Sequence, residues 1–322
     1  MNQTTHKLRV GRELCASLAL WLGVFCVPVT QGGGVVPVET DTNHVFRLAF
    51  SATMFTEVNE NDARAAMKVW IMTVAKDRGI PVDPDPHICR TLDELTEVCR
   101  TNHVDGVGLV AAEYARLSQT IKFDRLGVGD YDGRIMEEYV VLVRQDSGVE
   151  HLDQLQGHTL NILNTPRTSL APIWLDTILL EARLKDSADF FKQISYDNKA
   201  ALVILPVFFH RADACLMTLD SFKIMGELNP QLAKQLRVIA TSPKMLPACF
   251  AFRAAEGSAM RPRILTEMAQ MNETPAGKQI LTLVKADRIV EEPITCLDSA
   301  LELLAKHERL CGGKAEAKGI AK

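Results

Sequence analysis

The chain has 322 residues, of which 24% are charged and 47% hydrophobic, and its formal net charge is −4 at pH 7. This composition is typical of a folded globular protein of about two domains or lobes, and it excludes the fibrous and intrinsically disordered classes. The negative charge and the lack of a lysine- and arginine-rich run argue against nucleic acid as a partner.

The N-terminal segment differs from the rest of the chain. Lysine and arginine residues in the first twelve positions precede an apolar run at 14–29, and small residues follow it. This layout predicts a secretory signal peptide over residues 1–32, and hence a periplasmic protein, with a flexible linker over 33–43. An uncleaved membrane anchor stays open as the alternative, although the run is shorter than the roughly 20 residues of a spanning helix.

Predicted strands and helices alternate through the first part of the chain. Gly79 ends the first helix, and Thr91-Leu92-Asp93-Glu94 is a capping box that begins the second. In chain order the elements are a strand at 45–50, a hydroxyl-rich loop at 51–56, helices at about 60–78 and 91–100, a strand at 104–110 and a helix at 111–117. This order predicts a mostly parallel sheet covered by helices.

The same alternation restarts after two strand candidates at 126–131 and 138–144. Strands at 159–163, 191–195, 212–217 and 236–240 enclose helices at 170–184 and 197–209, and an extended segment at 249–252 precedes helices at 258–271, 275–284 and 295–309. Pro206 is expected to kink or shorten the helix in which it lies.

Two rounds of this alternation, linked at 138–144 and 236–252, predict an α/β protein whose two lobes close like a clamshell. The predicted boundaries are residues 44–141 plus 245–311 for lobe I, residues 142–244 for lobe II and residues 312–322 for a disordered tail. Ligands bind such folds at the strand ends that face the cleft. Ser51 and Thr53, in the first hydroxyl-rich loop, are therefore candidate ligand contacts.

The loop after the strand at 159–163 is the strongest candidate for an anion site. It contains Arg167, Thr168 and Ser169 just before a helix, with Thr168 or Ser169 as the expected N-cap and Pro172 in the first turn. The first N–H groups of a helix lack internal partners, and the helix dipole adds partial positive charge there. The alternative is an ordinary capped helix with a surface arginine.

Several segments in a fixed order carry a family resemblance. These segments are the loops at 51–56 and 165–169, Val104–Leu109, Asp197–Leu202, Ala212–Cys215 followed in the chain by Asp220, Val238–Pro243 and Glu273–Lys278. Over roughly residues 45–285 the chain resembles the phosphate, phosphite and phosphonate substrate-binding proteins of ABC transporters. The resemblance implies a two-lobed type II periplasmic-binding-protein clamshell, with mixed sheets flanked by helices.

The resemblance also implies roles for individual residues. Thr168 and Ser169 match the turn that holds the oxyanion of the ligand, and Asn198 or Asp197 falls near a polar ligand contact. Asp220 matches an acid that accepts a hydrogen bond from an amine or a protonated oxygen of the ligand. Arg167 would add positive charge.

The chain departs from phosphonate binders at two positions, so its pocket is expected to be less acidic. Leu109 stands where those proteins carry an aromatic residue, and Ala248 stands where they carry an acid after Ser-Pro.

Other chemistries have little support in the sequence. The histidines show no metal-binding spacing, and no G-x-S-x-G elbow is present, so neither a metal, a cofactor nor catalysis is expected. No C-x-x-C motif occurs. Cys89 and Cys99 could form a bridge, whereas Cys215 and Cys249 are expected to be buried thiols.

The sequence thus predicts an exported solute-binding protein that captures a small anionic, phosphate- or phosphonate-like ligand between its lobes. Its expected partner is the permease of an ABC transporter. Two alternatives stay open at this point: a periplasmic sensor that uses the same cleft and signals to a membrane partner, and an enzyme built on the same fold.

Overall fold

The structure, a computed structural model, describes residues 44–254 and 260–320. The predicted signal peptide and linker lie outside these residues. The strands are β1 (Leu48–Ser51), β2 (His87–Cys89), β3 (Gly106–Val110), β4 (Phe123–Asp130), β5 (Tyr139–Arg144), β6 (Thr159–Leu163), β7 (Gln193–Asp197), β8 (Ala214–Thr218), β9 (Leu236–Thr241), β10 (Ala248–Arg253) and β11 (Arg288–Glu292).

The helices alternate with these strands. They are α1 (Glu60–Arg78), α2 (Leu92–Thr101), α3 (Ala111–Leu117), α4 (Ala171–Glu181), α5 (Ser187–Phe190), α6 (Ala200–Phe208), α7 (Leu219–Leu228), α8 (Pro230–Gln235), α9 (Met260–Ala269), α10 (Pro275–Val284) and α11 (Asp298–Ile320). Single 3₁₀ turns occur at Ala52–Phe55, Gln145–Ser147, Leu152–Leu155, Pro166–Thr168, Met271–Glu273 and Ile294–Leu297.

Two mixed sheets form the centres of two lobes, as the sequence predicted. The first lobe contains a six-stranded sheet in the order β11-β4-β10-β3-β1-β2, and the second contains a five-stranded sheet in the order β7-β6-β8-β5-β9. Strand β1 is parallel to β2 and β3, whereas β10 is antiparallel to β3 and β4. In the second sheet β6 is parallel to β7 and β8, and β5 is antiparallel to β8 and β9.

The chain crosses between the lobes twice, and the two crossings lie side by side. The first joins β4 to β5 and the second joins β9 to β10. Glu137 and Met245 exchange backbone hydrogen bonds of 2.8 and 2.9 Å between the crossings, and the amide of Ser242 donates to the carbonyl of Tyr139 at 2.8 Å. The exact residues at which each lobe begins and ends stay a prediction.

Local sequence signals explain the helices of the first lobe. The side chain of Asn59 caps α1, Gly79 ends it in the left-handed conformation, and its apolar face is buried. The hydroxyl of Thr91 accepts from the amide of Glu94 at 3.1 Å, which confirms Thr91 as the N-cap of α2, whereas the carboxylate of Glu94 accepts from the amide of Arg90 at 2.8 Å, one residue before the cap.

Other elements differ from the sequence prediction. Strands β2 and β11 and helices α5, α7 and α8 were not predicted, and Pro206 lies near the end of α6, which is shorter than predicted. The last helix, expected to end near Arg309, continues to Ile320 through residues expected to form a tail. It packs against α3 of the first lobe and α4 of the second.

None of the helices described is long and apolar enough to cross a membrane. Cys215 and Cys249 are buried free thiols, as predicted. Cys89 and Cys99 are also buried and free, so the suggested bridge between them is not formed. Burial raises the pKa of the Cys99 thiol to about 12, which keeps this group protonated.

Candidate functional site in the cleft between the lobes

Strand ends from both lobes meet at the cleft. The Ala52–Phe55 turn follows β1, the Pro166–Thr168 turn follows β6, and the two turns contact each other. The side-chain nitrogen Nδ2 of Asn198, just after β7, donates to the backbone carbonyl of Thr56 at 3.2 Å and so joins the second lobe to the first. The cleft is therefore formed at the carboxyl ends of parallel strands, where α/β folds bind ligands.

Arg167 belongs to a network of ion pairs at this cleft. Its Nε donates to Oε1 of Glu137, and its Nη2 lies 3.2 Å from Oδ2 of Asp220. The other carboxylate oxygen of Asp220 lies 2.6 Å from Nη2 of Arg134. The guanidinium of Arg167 also lies over the ring of Tyr131, 4.3 Å from its centroid. The side chains of Arg134, Asp220, Arg167 and Glu137 thus form a row in which positive and negative charges alternate.

Burial and pairing act in opposite directions on these groups. Burial by itself would lower the pKa of Arg167, but the neighbouring carboxylate of Glu137 raises it, so Arg167 stays charged. Burial raises the pKa of Glu137, and Arg167 beside it opposes that shift. Burial also raises the pKa of Tyr131 to about 12, so its ring stays neutral under the arginine.

Ser51 and Thr53 converge on a carboxylate. The hydroxyl of Ser51 donates to Oε1 of Glu113 at 2.6 Å, and that of Thr53 lies 3.1 and 3.2 Å from the two oxygens of the same group. Glu113 lies in the first turn of α3 and also accepts from the amide of Val110 at 3.1 Å. Both predicted hydroxyls are thus held at the end of β1, and Glu113 is a partner that the sequence interpretation did not include.

Thr168 and Ser169 form hydrogen bonds within the protein, and the predicted N-cap at one of them is wrong. The Thr168 hydroxyl donates to the carbonyl of Leu163 at 2.5 Å and accepts from the amide of Thr165 at 2.9 Å. The Ser169 hydroxyl donates to the carbonyl of Pro247 at 3.0 Å. Neither residue caps α4, because Leu170 occupies that position and the two belong to the preceding 3₁₀ turn. Pro172 is in the first turn of α4, as predicted.

The structure therefore brings the predicted residues to one region in three groups. Arg167 meets Asp220, Ser51 meets Thr53, and Asn198 meets the backbone just after the Ser51 loop. The sequence interpretation missed Glu137, Tyr131 and Arg134, which come from the first crossing between the lobes. An open groove of about 300 Å³ lies next to Asn198 and is lined by Thr56, Asn164, Tyr196, Asp197 and Asn198.

No group of His, Cys, Asp and Glu side chains in residues 44–254 and 260–320 is arranged to hold a metal ion. The cleft offers the guanidinium groups of Arg167 and Arg134, several hydroxyl and amide donors, and the carboxylates of Glu137, Asp220 and Glu113. Such a set can hold an anion through charge-assisted hydrogen bonds.

Comparisons with known proteins agree with this arrangement. A family described as "ABC transporter, phosphonate, periplasmic substrate-binding protein" matches residues 53–292. No curated protein matches the sequence.

Solved structures share the fold at low sequence identity. XAC2383 from Xanthomonas citri bound to ATP has a TM-score of 0.58 and 18% identity, over 83% of this chain and 98% of that one. A binding protein component of an ABC phosphonate transporter from Pseudomonas aeruginosa has a TM-score of 0.54 and 13% identity, over 83% and 87%. PhnD1 from Prochlorococcus marinus in complex with methylphosphonate has a TM-score of 0.55 and 13% identity, over 81% and 97%.

At these identities the solved structures establish the fold alone, whereas the family match extends over most of the chain. The resemblance predicted from the order of the sequence segments is thus confirmed. This chain belongs to the periplasmic phosphonate substrate-binding proteins of ABC transporters, a family of binding components and not of enzymes.

Proposed function

We propose that this chain captures a small oxyanion beside Arg167 and delivers it to the permease of an ABC transporter. The observation that carries the proposal is a charged arginine held at the contact between the two lobes, where it meets Glu137, Asp220 and Tyr131. Family membership already implies a small-molecule ligand and a membrane permease. It favours transport over the sensor alternative.

The anion would take the place of Asp220 on Arg167. The contact between Arg167 and Asp220 is 3.2 Å, longer than the 2.6 Å contact between Asp220 and Arg134. Asp220 therefore keeps a cation when Arg167 turns to a ligand, and no carboxylate is left buried without a partner. The freed oxygen of Asp220 can accept from a protonated oxygen or an amine of the ligand.

The remaining predicted residues divide into two roles. We assign Ser51, Thr53 and Asn198 to donating hydrogen bonds to the ligand, because they lie at or just after strand ends that face the cleft and their present partners are a carboxylate and a backbone carbonyl. We assign Thr168 and Ser169 to holding the turn that presents Arg167, because their hydroxyls already bond within the protein.

Calorimetric titration with phosphate, methylphosphonate and sulfate tests the proposal. We expect Arg167→Gln to weaken binding of the preferred anion by roughly tenfold or more, since a charge-assisted hydrogen bond is lost. Arg125→Gln is the matched control, because Arg125 forms an exposed pair with Glu291 whose loss has little energetic effect.

Two results would reject the proposal. One is that the unaltered protein binds none of these anions, and the other is that Arg167→Gln binds all of them as tightly as the unaltered protein does.

We further propose that the N-terminal segment directs export and is removed near residue 32, which mass spectrometry of the protein recovered from the periplasm would test.

A further inference from the structure

An apolar cavity of about 120 Å³ lies inside the first lobe, between its sheet and helices α1, α9 and α10. Its walls are aliphatic, aromatic and glycine residues, and no charged residue is among those described that line it. Engineered cavities of roughly 150 Å³ with such walls stay dry and bind benzene. The cavity is therefore large enough for one small apolar group.

Glycines on two strands produce this space. Gly106 and Gly108 on β3, and Gly127 and Gly129 on β4, alternate with buried apolar residues and so lie on one face of the sheet. A Cβ atom at Gly108 would lie 2.4 Å from the ring of Phe50, and one at Gly106 would lie 2.4 Å from a ring atom of a second phenylalanine, on β10.

These distances show that the two rings occupy the space that a side chain at either glycine would need. The second ring belongs to Phe250, which is paired with Gly108 on one side and Gly127 on the other. Both rings and three of the four glycines are in the wall of the cavity. The sequence thus keeps side chains out of a region where a core would otherwise be filled.

The cavity lies next to the proposed anion site. A smaller cavity of about 40 Å³ has Pro166 and Arg167 of the second lobe in its wall. Both cavities are also lined by Met54, Tyr131 and Ala248. Tyr131 thus contributes to the wall of the apolar cavity while its ring contacts the guanidinium of Arg167.

From this geometry we infer that the ligand is amphiphilic: an oxyanion at Arg167 that carries an alkyl or aryl group of about four to six carbons, held in the apolar cavity. This inference rests on the proposed function for the oxyanion. It adds the class of substituent, since the cavity beside Arg167 and the apolar cavity of the first lobe share Met54, Tyr131 and Ala248 in their walls.

Titration with methyl-, butyl-, hexyl- and phenylphosphonate tests the inference. Burial of each added methylene should tighten binding about fourfold until the cavity is full, so that hexylphosphonate binds far more tightly than methylphosphonate. Equal affinities along the series would overturn the inference and leave the proposed function intact. Failure of all these phosphonates, phosphate and sulfate to bind would instead reject the proposed function.

Variants at Val74, a buried residue of α1 in the cavity wall, separate the cavity from general hydrophobicity. We expect Val74→Phe to fill the cavity and reduce the ratio of hexyl- to methylphosphonate affinity, whereas Val74→Ala enlarges it and preserves or raises that ratio. Ratios unchanged in both variants would contradict the inference. If Val74→Phe does not fold, the inference is still tested by Val74→Ala and by the affinities of the unaltered protein along the chain-length series.

Discussion

Thr168 shows how a residue can shape the turn beside a proposed site through hydrogen bonds within the protein. Its hydroxyl donates to the carbonyl of Leu163 and accepts from the amide of Thr165, and its side chain is only 2% exposed. These bonds fix the turn on which Arg167 is presented. A buried backbone group that loses its partner costs more than the bond itself contributes.

We predict that Thr168→Val lowers the free energy of unfolding by about 1–3 kcal/mol, because valine has the same shape but leaves the amide of Thr165 and the carbonyl of Leu163 without this partner. Urea denaturation measures the change. Thr168→Ser, which keeps the hydroxyl, is the control and should lose less. A valine variant as stable as the original would show that water or another group replaces the hydroxyl.

The position of Arg167 just before a helix could be predicted from the sequence because the signal is local: a strand, a short loop and a helix start follow one another. The ion-pair partners of Arg167 could not be predicted in this way. Glu137 lies 30 positions away and Asp220 lies 53 positions away, and only the arrangement of the two lobes brings them to the guanidinium. The predicted N-cap of α4 was wrong for a related reason, since the hydroxyls of Thr168 and Ser169 bond to the carbonyls of Leu163 and Pro247 instead.

The start of α10 illustrates how a whole element depends on one glycine. Thr274 caps the helix by accepting from the amide of Gly277 at 3.0 Å. A Cβ atom at Gly277 would lie 2.1 Å from the carbonyl oxygen of Met271, which is backbone and cannot turn away. The preceding turn and the helix can therefore pack this closely only with glycine at this position.

We predict that Gly277→Ala lowers the free energy of unfolding by about 1–3 kcal/mol or more, since the turn at 271–273 must move. Gly79→Ala is the comparison, because Gly79 has a φ of +60° but open space around it. That change should cost only about 1 kcal/mol through backbone strain. Equal losses in the two variants, measured by urea denaturation, would contradict the steric argument.

Elements with a clear apolar face were predictable, and edge or exposed elements were not. Helix α1 buries a regular stripe of apolar residues, and the sequence indicates both its N-cap, Asn59, and the glycine that ends it, Gly79. Strand β11 lies at the edge of its sheet and reads Arg-Ile-Val-Glu-Glu, a charged pattern that suits an edge but hides the strand. Helix α7 has no fully buried residue, and its apolar residues Leu219, Phe222 and Met225 pack only partly buried against the core, so the stripe that marks a helix is weak.

At the scale of the whole molecule, the ion pairs connect the proposed ligand site to the crossings between the lobes. Glu137 pairs with Arg167 through its side chain and with Met245 of the other crossing through its backbone. Helix α11 adds a second connection, because it packs on both lobes and Lys306 pairs with Glu181 of α4 at 2.5 Å. A ligand that binds Arg167 as proposed would therefore act on the residues about which the lobes would move.

The tyrosines provide a test of how tightly the whole molecule is packed. The chain has four tyrosines, and burial raises the pKa of each above the ordinary value near 10. The shift is largest for Tyr139, which is fully buried, whereas Tyr131 has a pKa of about 12 and Tyr196 is exposed. The folded protein thus holds these protons more tightly than the unfolded chain does.

The sign of the pH dependence follows from this difference. The contribution to stability is complete below pH 10 or so, where both states are protonated, and it is lost as the pH rises through the pKa values of the folded state. We predict that phenolate absorbance develops near pH 10 in guanidinium chloride but at higher pH in the native protein, with Tyr196 first. The urea midpoint should fall over the same range, and less steeply in Tyr139→Phe, because that variant lacks the most strongly shifted group. Native titration of all four phenols near the ordinary value would mean that the two lobes do not exclude water as the structure indicates.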